Sequence, residues 1–270
     1  MSKWRPSDNC LFVIPDIHGN YDCLRSICKR ILPLRKQDKL IFLGDYIDRG
    51  PQSNKVIEYI IDLKEQFGDS VITLLGNHEW LMLAGIGEIE YNWQESKVSP
   101  YAVWVENGAM QTILSYMPSN SKIDLTTIRS RIKDFIPDKH LKFLKEDLLI
   151  AYGYDKYIFV HAGCDPNQPL SYKYMETYIW DRTLYDTAKR IVGAGKEMPW
   201  EKIVVAGHNY NGPWISDKMF MLDMSGQKKL LVVELNSMEA FTASPGNVRL
   251  ERINLFEKKK KTGLIKRLGQ

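Results

Sequence analysis

Five short apolar runs, each stopping at a cluster of Gly, Asp, Asn and His, constrain this chain more than any other feature. Leu11–Ile14 runs into Asp16, His18 and Gly19, and Leu40–Leu43 into Gly44, Asp45, Asp48, Arg49 and Gly50. Val71–Leu75 stops at Gly76, Asn77, His78 and Glu79. Tyr157–Val160 stops at His161 and Gly163, and Ile203–Ala206 at Gly207 and His208. Brief runs rich in Val, Ile and Phe fit strands buried on both faces. Helical patterns follow the first two. Asn20 stands where a helix N-cap belongs, ahead of a stripe of Leu24, Ile27, Cys28 and Ile31. Pro51 suits an early position in a helix carrying Val56, Ile57, Ile60, Ile61 and Lys64. Strand–helix–strand repetition predicts parallel pairing, and in such sheets ligands bind beyond the carboxyl ends of the strands. All five clusters lie at that end, so they define one site.

The middle of the chain has a different texture. Tyr101–Met117, Ile128–Phe135 and His140–Leu148 (after Pro137) read as helices of an insertion over about residues 80–148. A hairpin of Leu148–Tyr152 and Tyr157–Val160 follows, then strands at Met219–Asp223, Leu230–Glu234 and Asn247–Ile253. A β-α-β half followed by a β-rich half predicts an α/β (α+β) fold. Two sheets pack as a sandwich flanked by helices, with a βαβαβ core carrying the site. No linker rich in Pro, Gly or Ser divides the chain, so residues 1–256 are expected to form one domain, followed by a basic tail at 257–270.

Composition narrows the class. Of 270 residues 44% are apolar, enough for a large core. The net charge of +4 concentrates in the tail, where six Lys/Arg face one acidic residue and leave the remainder near −1. A basic end on a near-neutral body gives no reason to expect specific nucleic-acid binding. Cys10, Cys23, Cys28 and Cys164 lack zinc-ligand pairing and are too sparse for a disulfide scaffold. No apolar run approaches the ~20 residues of a membrane span, and Met1–Cys10 lacks the apolar core of a signal peptide. A reduced, cytoplasmic setting is expected; the oligomeric state is open.

The chain has five histidines, and His18, His78, His161 and His208 all stand at strand ends beside a glycine or one residue removed. Any one of them alone would suit an ordinary buried histidine. Together with Asp16, Asp45, Asp48 and Asn77 they point to metal. Three converging carboxylates repel one another without a counter-charge, and divalent cations supply it. Imidazole and carboxylate together suit manganese, iron or zinc better than calcium, and Mn2+ is the first expectation. For six ligands to serve two ions ~3.5–4 Å apart one carboxylate must bridge, and Asp45 is the choice.

Asp16-Ile-His18-Gly19, Gly44-Asp45-Tyr-Ile-Asp48-Arg49-Gly50 and Gly76-Asn77-His78-Glu79 resemble, in order, the signature motifs of the phosphoprotein phosphatase branch of the calcineurin-like metallophosphoesterases. His161-Ala-Gly163 and Gly207-His208 resemble its fourth and fifth motifs. Trp104, Asn107-Gly108, Ser115-Tyr116 and Trp180-Asp181-Arg182 look like the bacterial and phage members. The resemblance spans most of residues 10–235.

The resemblance implies one metal on Asp16, His18 and Asp45 and a second on Asp45, Asn77, His161 and His208. It implies attack by metal-activated water or hydroxide, with His78 as general acid and Asp48 orienting its ring. Arg49 and Arg182, with Asn77 beside them, would hold the phosphoryl group. The expected substrate is phosphoserine or phosphothreonine on proteins. The alternatives are a diadenosine tetraphosphate hydrolase and a non-catalytic phosphate-binding module. One departure stands out: Asn209 follows His208 where the family usually has Thr. Trp80, Trp93, Trp104 and Trp180 read as core or wall residues, and Cys164 as a small buried one.

Overall fold

The computed structural model describes residues 4–90, 98–118, 128–129 and 131–255. The basic tail and Trp93 lie outside them. Three parallel strands, β1 (Leu11–Ile14), β2 (Lys39–Phe42) and β3 (Val71–Thr73), alternate with helices α1 (Tyr21–Ile31) and α2 (Ser53–Phe67). Then come α3 (Asn77–Gly85), α4 (Pro100–Glu106) and α5 (Ala109–Tyr116), with further helical segments to Asp147. The second half supplies β4 (Ala151–Tyr154), β5 (Tyr157–Val160), β6 (Ile203–Ala206), β7 (Trp214–Ile215) and β8 (Met219–Met221). It ends with β9 (Leu230–Glu234), β10 (Glu239–Ser244) and β11 (Asn247–Ile253).

These strands form two sheets, a six-stranded one ordered β11-β10-β9-β1-β2-β3 and a five-stranded one ordered β4-β5-β6-β8-β7. Strand alternation explains why both faces of each run are apolar. Leu11, Val13, Ile41 and Leu43 point into a core shared with Phe159, Val205 and Phe220 of the other sheet. Phe12, Ile14, Leu40 and Phe42 point the other way, into a core with Leu24, Ile27, Ile57 and Ile60 of the helices. The expected two-sheet sandwich with flanking helices is the fold observed. The sheets are also joined by backbone, with Leu75 N donating to Leu149 O at 2.8 Å and Leu149 N to Thr73 O at 2.9 Å.

Several local expectations are corrected. Asn20 sits at the N-cap of α1, but its side chain makes no cap bond. Its amide donates instead to Ile17 O (2.8 Å) and His18 O (3.1 Å), bracing the loop that carries His18. Pro51 lies in the turn before α2, which begins at Ser53. The helix expected over Tyr101–Met117 is broken into α4 and α5 at Asn107 and Gly108. The helix expected at His140 begins at Asp138 and changes to a wider π turn over Phe143–Asp147.

Candidate active site

The loops after β1, β2 and β3 are tied together before any side chain enters the site. Ile17 and His18 both donate their N–H to Asp45 O at 2.9 Å, and Gly19 donates to Tyr46 O at 2.8 Å. Glu79, fully buried on α3, accepts from four backbone N–H groups: Asp45 and Tyr46 at 2.8 Å, Gly76 at 3.1 Å and Ile47 at 3.2 Å. Burial, then the nearby Asp45 charge, push its carboxyl up to about 8, while N–H groups such as those of Tyr46 and Ile47 pull it back. The loops of the second sheet are joined in turn. Gly207 N donates to His161 O at 2.8 Å. His208 N reaches across to both oxygens of Asp16, at 2.9 and 3.1 Å.

Of the eight described non-glycine residues with positive φ, five stand in these loops: His18, Asp45, Asp48, Arg49 and His208, with φ between 46° and 70°. L-residues rarely adopt this left-handed conformation, and it persists only where surrounding bonds hold it. Its concentration here marks a site that the fold assembles against local preference. No sequence pattern announces it.

Asp45 is the centre. Its Oδ2 lies 3.7 Å from His18 Nε2 and 3.8 Å from His78 Nε2, while Oδ1 lies 3.4 Å from His161 Nε2. Two donor groups therefore share this carboxylate, His18–Asp45–His78 and Asp45–His161–His208, the donor atoms in each lying within 4.8 Å of one another. Asn77 joins the second, with Oδ1 3.0 Å from His161 Nε2. Of the six residues named as ligands, His18, Asp45, Asn77, His161 and His208 lie in these two groups, while Asp16 lies outside both, its oxygens accepting from His208 N. His78 stands as close to Asp45 as His18 does.

The donor chemistry fits divalent cations. His18 Nδ1 donates to Ile47 O and His161 Nδ1 to Leu43 O, both at 2.9 Å, which leaves each Nε2 with its lone pair facing inward. His161 Nε2 then confronts the Asn77 and Asp45 oxygens, acceptor against acceptor, an arrangement that a cation relieves. His208 Nε2 is buried without a hydrogen-bond partner. Burial, then His78, pushes His18 down to about 3; burial, then His161, pushes His208 down to about 2. Both are neutral imidazoles at physiological pH, the form that binds metal. Burial, then Asp223 and Asp45, hold the Asp16 carboxyl well above its ordinary range. Asp223, whose own carboxyl is raised by burial, belongs to this crowd of acids and was not singled out from sequence.

Around this centre stand the polar groups expected to handle phosphate. Arg49 Nη1 contacts His18 Nε2 at 2.8 Å and Nη2 contacts His78 Nε2 at 3.1 Å. His78 Nδ1 lies 2.7 Å from Asp48 Oδ2. Asp48 also accepts from Trp104 Nε1 and Thr112 Oγ1, two donors that sequence reasoning missed. Arg182 donates to Asn209 Oδ1 at 3.0 Å. The residue that departs from the family pattern therefore anchors Arg182. Asp181 is occupied in capping the next helix, accepting from Thr183 N and Leu184 N at 3.0 Å. Trp180 packs edge-on to His208, its ring centre 6.3 Å away. Cys164 is buried, which pushes its thiol up to about 12.

Residues 11–219 match the calcineurin-like phosphoesterase family model. The chain belongs to the calcineurin-like phosphoesterases. Over 89 residues it is 37% identical to a symmetrical bis(5'-nucleosyl)-tetraphosphatase of Cronobacter sakazakii, covering 33% of this chain and 30% of that enzyme. The chain thus spans less than a third of the length of the first curated relatives it matches. A crystal structure provisionally named a diadenosine tetraphosphatase superposes with a TM-score of 0.54 at 14% identity, covering 90% of this chain and 96% of its own. A serine/threonine phosphatase from Saccharomyces cerevisiae superposes with a TM-score of 0.51 at 14% identity, covering 94% of this chain and 82% of its own. These two structural likenesses are of fold. Among the described residues, no helix is long and apolar enough to cross a membrane.

Proposed function

We propose that the chain hydrolyses phosphate monoesters, phosphoserine and phosphothreonine on proteins foremost, at a centre of two divalent cations. The observation that carries this reading is the shared Asp45, whose two oxygens face two separate donor groups. In it, Asp16, His18 and Asp45 hold one cation, and Asp45, Asn77, His161 and His208 hold the other, with Mn2+ preferred. When bound, the cations offset phosphoryl charge and lower the pKa of water at the site.

The chain's own residues do the rest. Arg49 has only N–H donors, so while it sits against His78 that ring presents a lone pair. Once Arg49 turns to the phosphoryl oxygens, His78 Nε2 is free to carry the proton that the leaving oxygen receives. Asp48 holds the ring through Nδ1–H. Arg182, fixed by Asn209, is a second clamp. A terminal phosphoryl group has more free oxygens to share between two guanidiniums than an internal phosphate has, which favours monoesters.

A second reading is hydrolysis of dinucleoside tetraphosphates. A cavity of about 400 Å3 beside the centre is lined by Asp16, His18, Arg49, Tyr210, Lys228 and Lys229. Half-exposed Tyr210 offers a face for a base, and the lysines offer charge for further phosphates. Chelation should abolish turnover of 4-nitrophenyl phosphate and Mn2+ should restore it; activity indifferent to chelator would refute the metal mechanism. Rates on phosphoserine, phosphothreonine and phosphotyrosine peptides measured beside diadenosine tetraphosphate decide the substrate. Faster cleavage of the dinucleotide would overturn the protein substrate.

A further inference from the structure

We infer that Trp104 and Thr112, on the two helices that follow α3, are positioning residues for the His78–Asp48 pair, so that this helix pair builds the acid half of the site. The inference rests on the reading of His78 as general acid.

Asp48 is fully buried, and side-chain donors surround its carboxylate. Oδ1 accepts from Thr112 Oγ1 at 2.6 Å, and the Trp104 indole N–H lies between both oxygens at 3.1 and 3.0 Å. Oδ2 takes His78 Nδ1–H at 2.7 Å. A buried indole N–H must find some acceptor, so the Trp104 bond alone would be ordinary. Thr112 is more telling, because its single proton has one destination. Its Oγ1 already accepts from Asp48 N at 2.8 Å and lies 2.9 Å from Ser53 Oγ. With the Thr112 proton on Asp48, Ser53 must donate to Thr112. The hydroxyl is then saturated, and one side chain grips both the backbone and the carboxylate of Asp48.

The same helix pair touches Arg49. Arg49 N donates to Gly108 O at 3.2 Å, at the break between α4 and α5. Asp48 and Arg49, both with positive φ, are therefore held from the insertion side, while Glu79 holds the preceding residues from α3. Trp104 and Thr112 hold the Asp48 carboxylate from the sides that His78 leaves open, so that Oδ2 stays aimed at His78 Nδ1.

A positioning role for an acid has a signature that a structural role lacks. Loss of the acid harms esters with poor leaving groups, whereas 4-nitrophenolate departs without protonation. Thr112→Val should lower kcat on phenyl phosphate about tenfold, part of the ~100- to 10,000-fold that general acids provide, and on 4-nitrophenyl phosphate about twofold. Trp104→Phe, which keeps most of the ring, should shift the ratio in the same direction, and Thr112→Ser should restore it. His78→Asn is the reference and should show the largest ratio. If His78→Asn loses both esters equally, the acid reading itself fails. If His78→Asn is selective while Thr112→Val and Trp104→Phe lose both esters alike, or lose neither, the positioning assignment is overturned.

Discussion

Glu79 holds the site together without facing the substrate. Its two oxygens take the N–H groups of Asp45, Tyr46, Ile47 and Gly76, and so set the path of the loop that presents Asp45. Glu79→Gln replaces one acceptor by an NH2 group that must face backbone donors. A buried donor left without its acceptor costs about 1–3 kcal/mol, so the variant should lose about 2–3 kcal/mol in urea denaturation. Metal affinity should fall with it, and unchanged stability and affinity would contradict this role. His78 carries a pH prediction. Burial alone would push its pKa down, but Asp45 and Asp48 outweigh burial and raise it above 6.5. The protonated acid therefore persists to higher pH than an ordinary imidazole, and kcat should fall as pH rises past that elevated value. His78→Asn should lose this alkaline limb; an identical limb in the variant would assign it to another group.

At the scale of elements, the strands were the most legible part. β1, β5, β6 and β9 fall where their apolar runs placed them, because strands buried on both faces leave an unbroken signal. β11 falls where expected as a mostly exposed edge strand of mixed polarity. β7 has only two residues and β10 (Glu-Ala-Phe-Thr-Ala-Ser) is mixed in polarity, so neither stood out. Loop residues at strand ends were legible because topology alone brings them together. Trp104, Thr112, Glu79 and Asp223 were not, since their roles depend on contacts to distant sequence. The break between α4 and α5 belongs with these. Gly108 has φ of 104°, and a Cβ there would sit 3.0 Å from Arg49 Cγ and 3.2 Å from Arg49 N. Gly108→Ala should therefore cost about 1–3 kcal/mol of stability and raise KM by displacing Arg49. Gly87→Ala is the control. Its φ is 77° and nothing lies within 4 Å of a Cβ there, so stability should drop while KM holds. Equal KM values in the two variants would refute the link between the helix break and Arg49.

For the whole molecule, the decisive fact is that the two sheets contribute different members of the proposed ligand set. Asp16 and Asp45 follow strands of the six-stranded sheet, with Asn77 opening α3, whereas His161 and His208 follow strands of the five-stranded sheet. Direct bonds already cross between them, from His161 Nδ1 to Leu43 O and from His208 N to Asp16. Cations held by both sets would add a crosslink at the carboxyl ends of the strands. The apolar interface of Val13, Ile41, Phe159 and Val205 lies between the sheets and needs no metal. Metal should therefore stabilise the fold without being required for it. A ligand that binds only the folded state adds about 2.7 kcal/mol at a hundred times its Kd. Thermal melts should rise with Mn2+ and fall to a plateau in chelator, with the chain still folded there. His208→Ala should flatten most of the dependence. Hydrogen exchange separates the two contributions. Chelation should speed exchange at Asp45–Arg49, His161–Gly163 and Gly207–His208, and leave Phe12–Ile14 and Ile158–Val160 protected. Global unfolding in chelator would mean that the inter-sheet core cannot stand alone. A melting temperature indifferent to metal would mean that the two donor groups do not hold cations across the sheets.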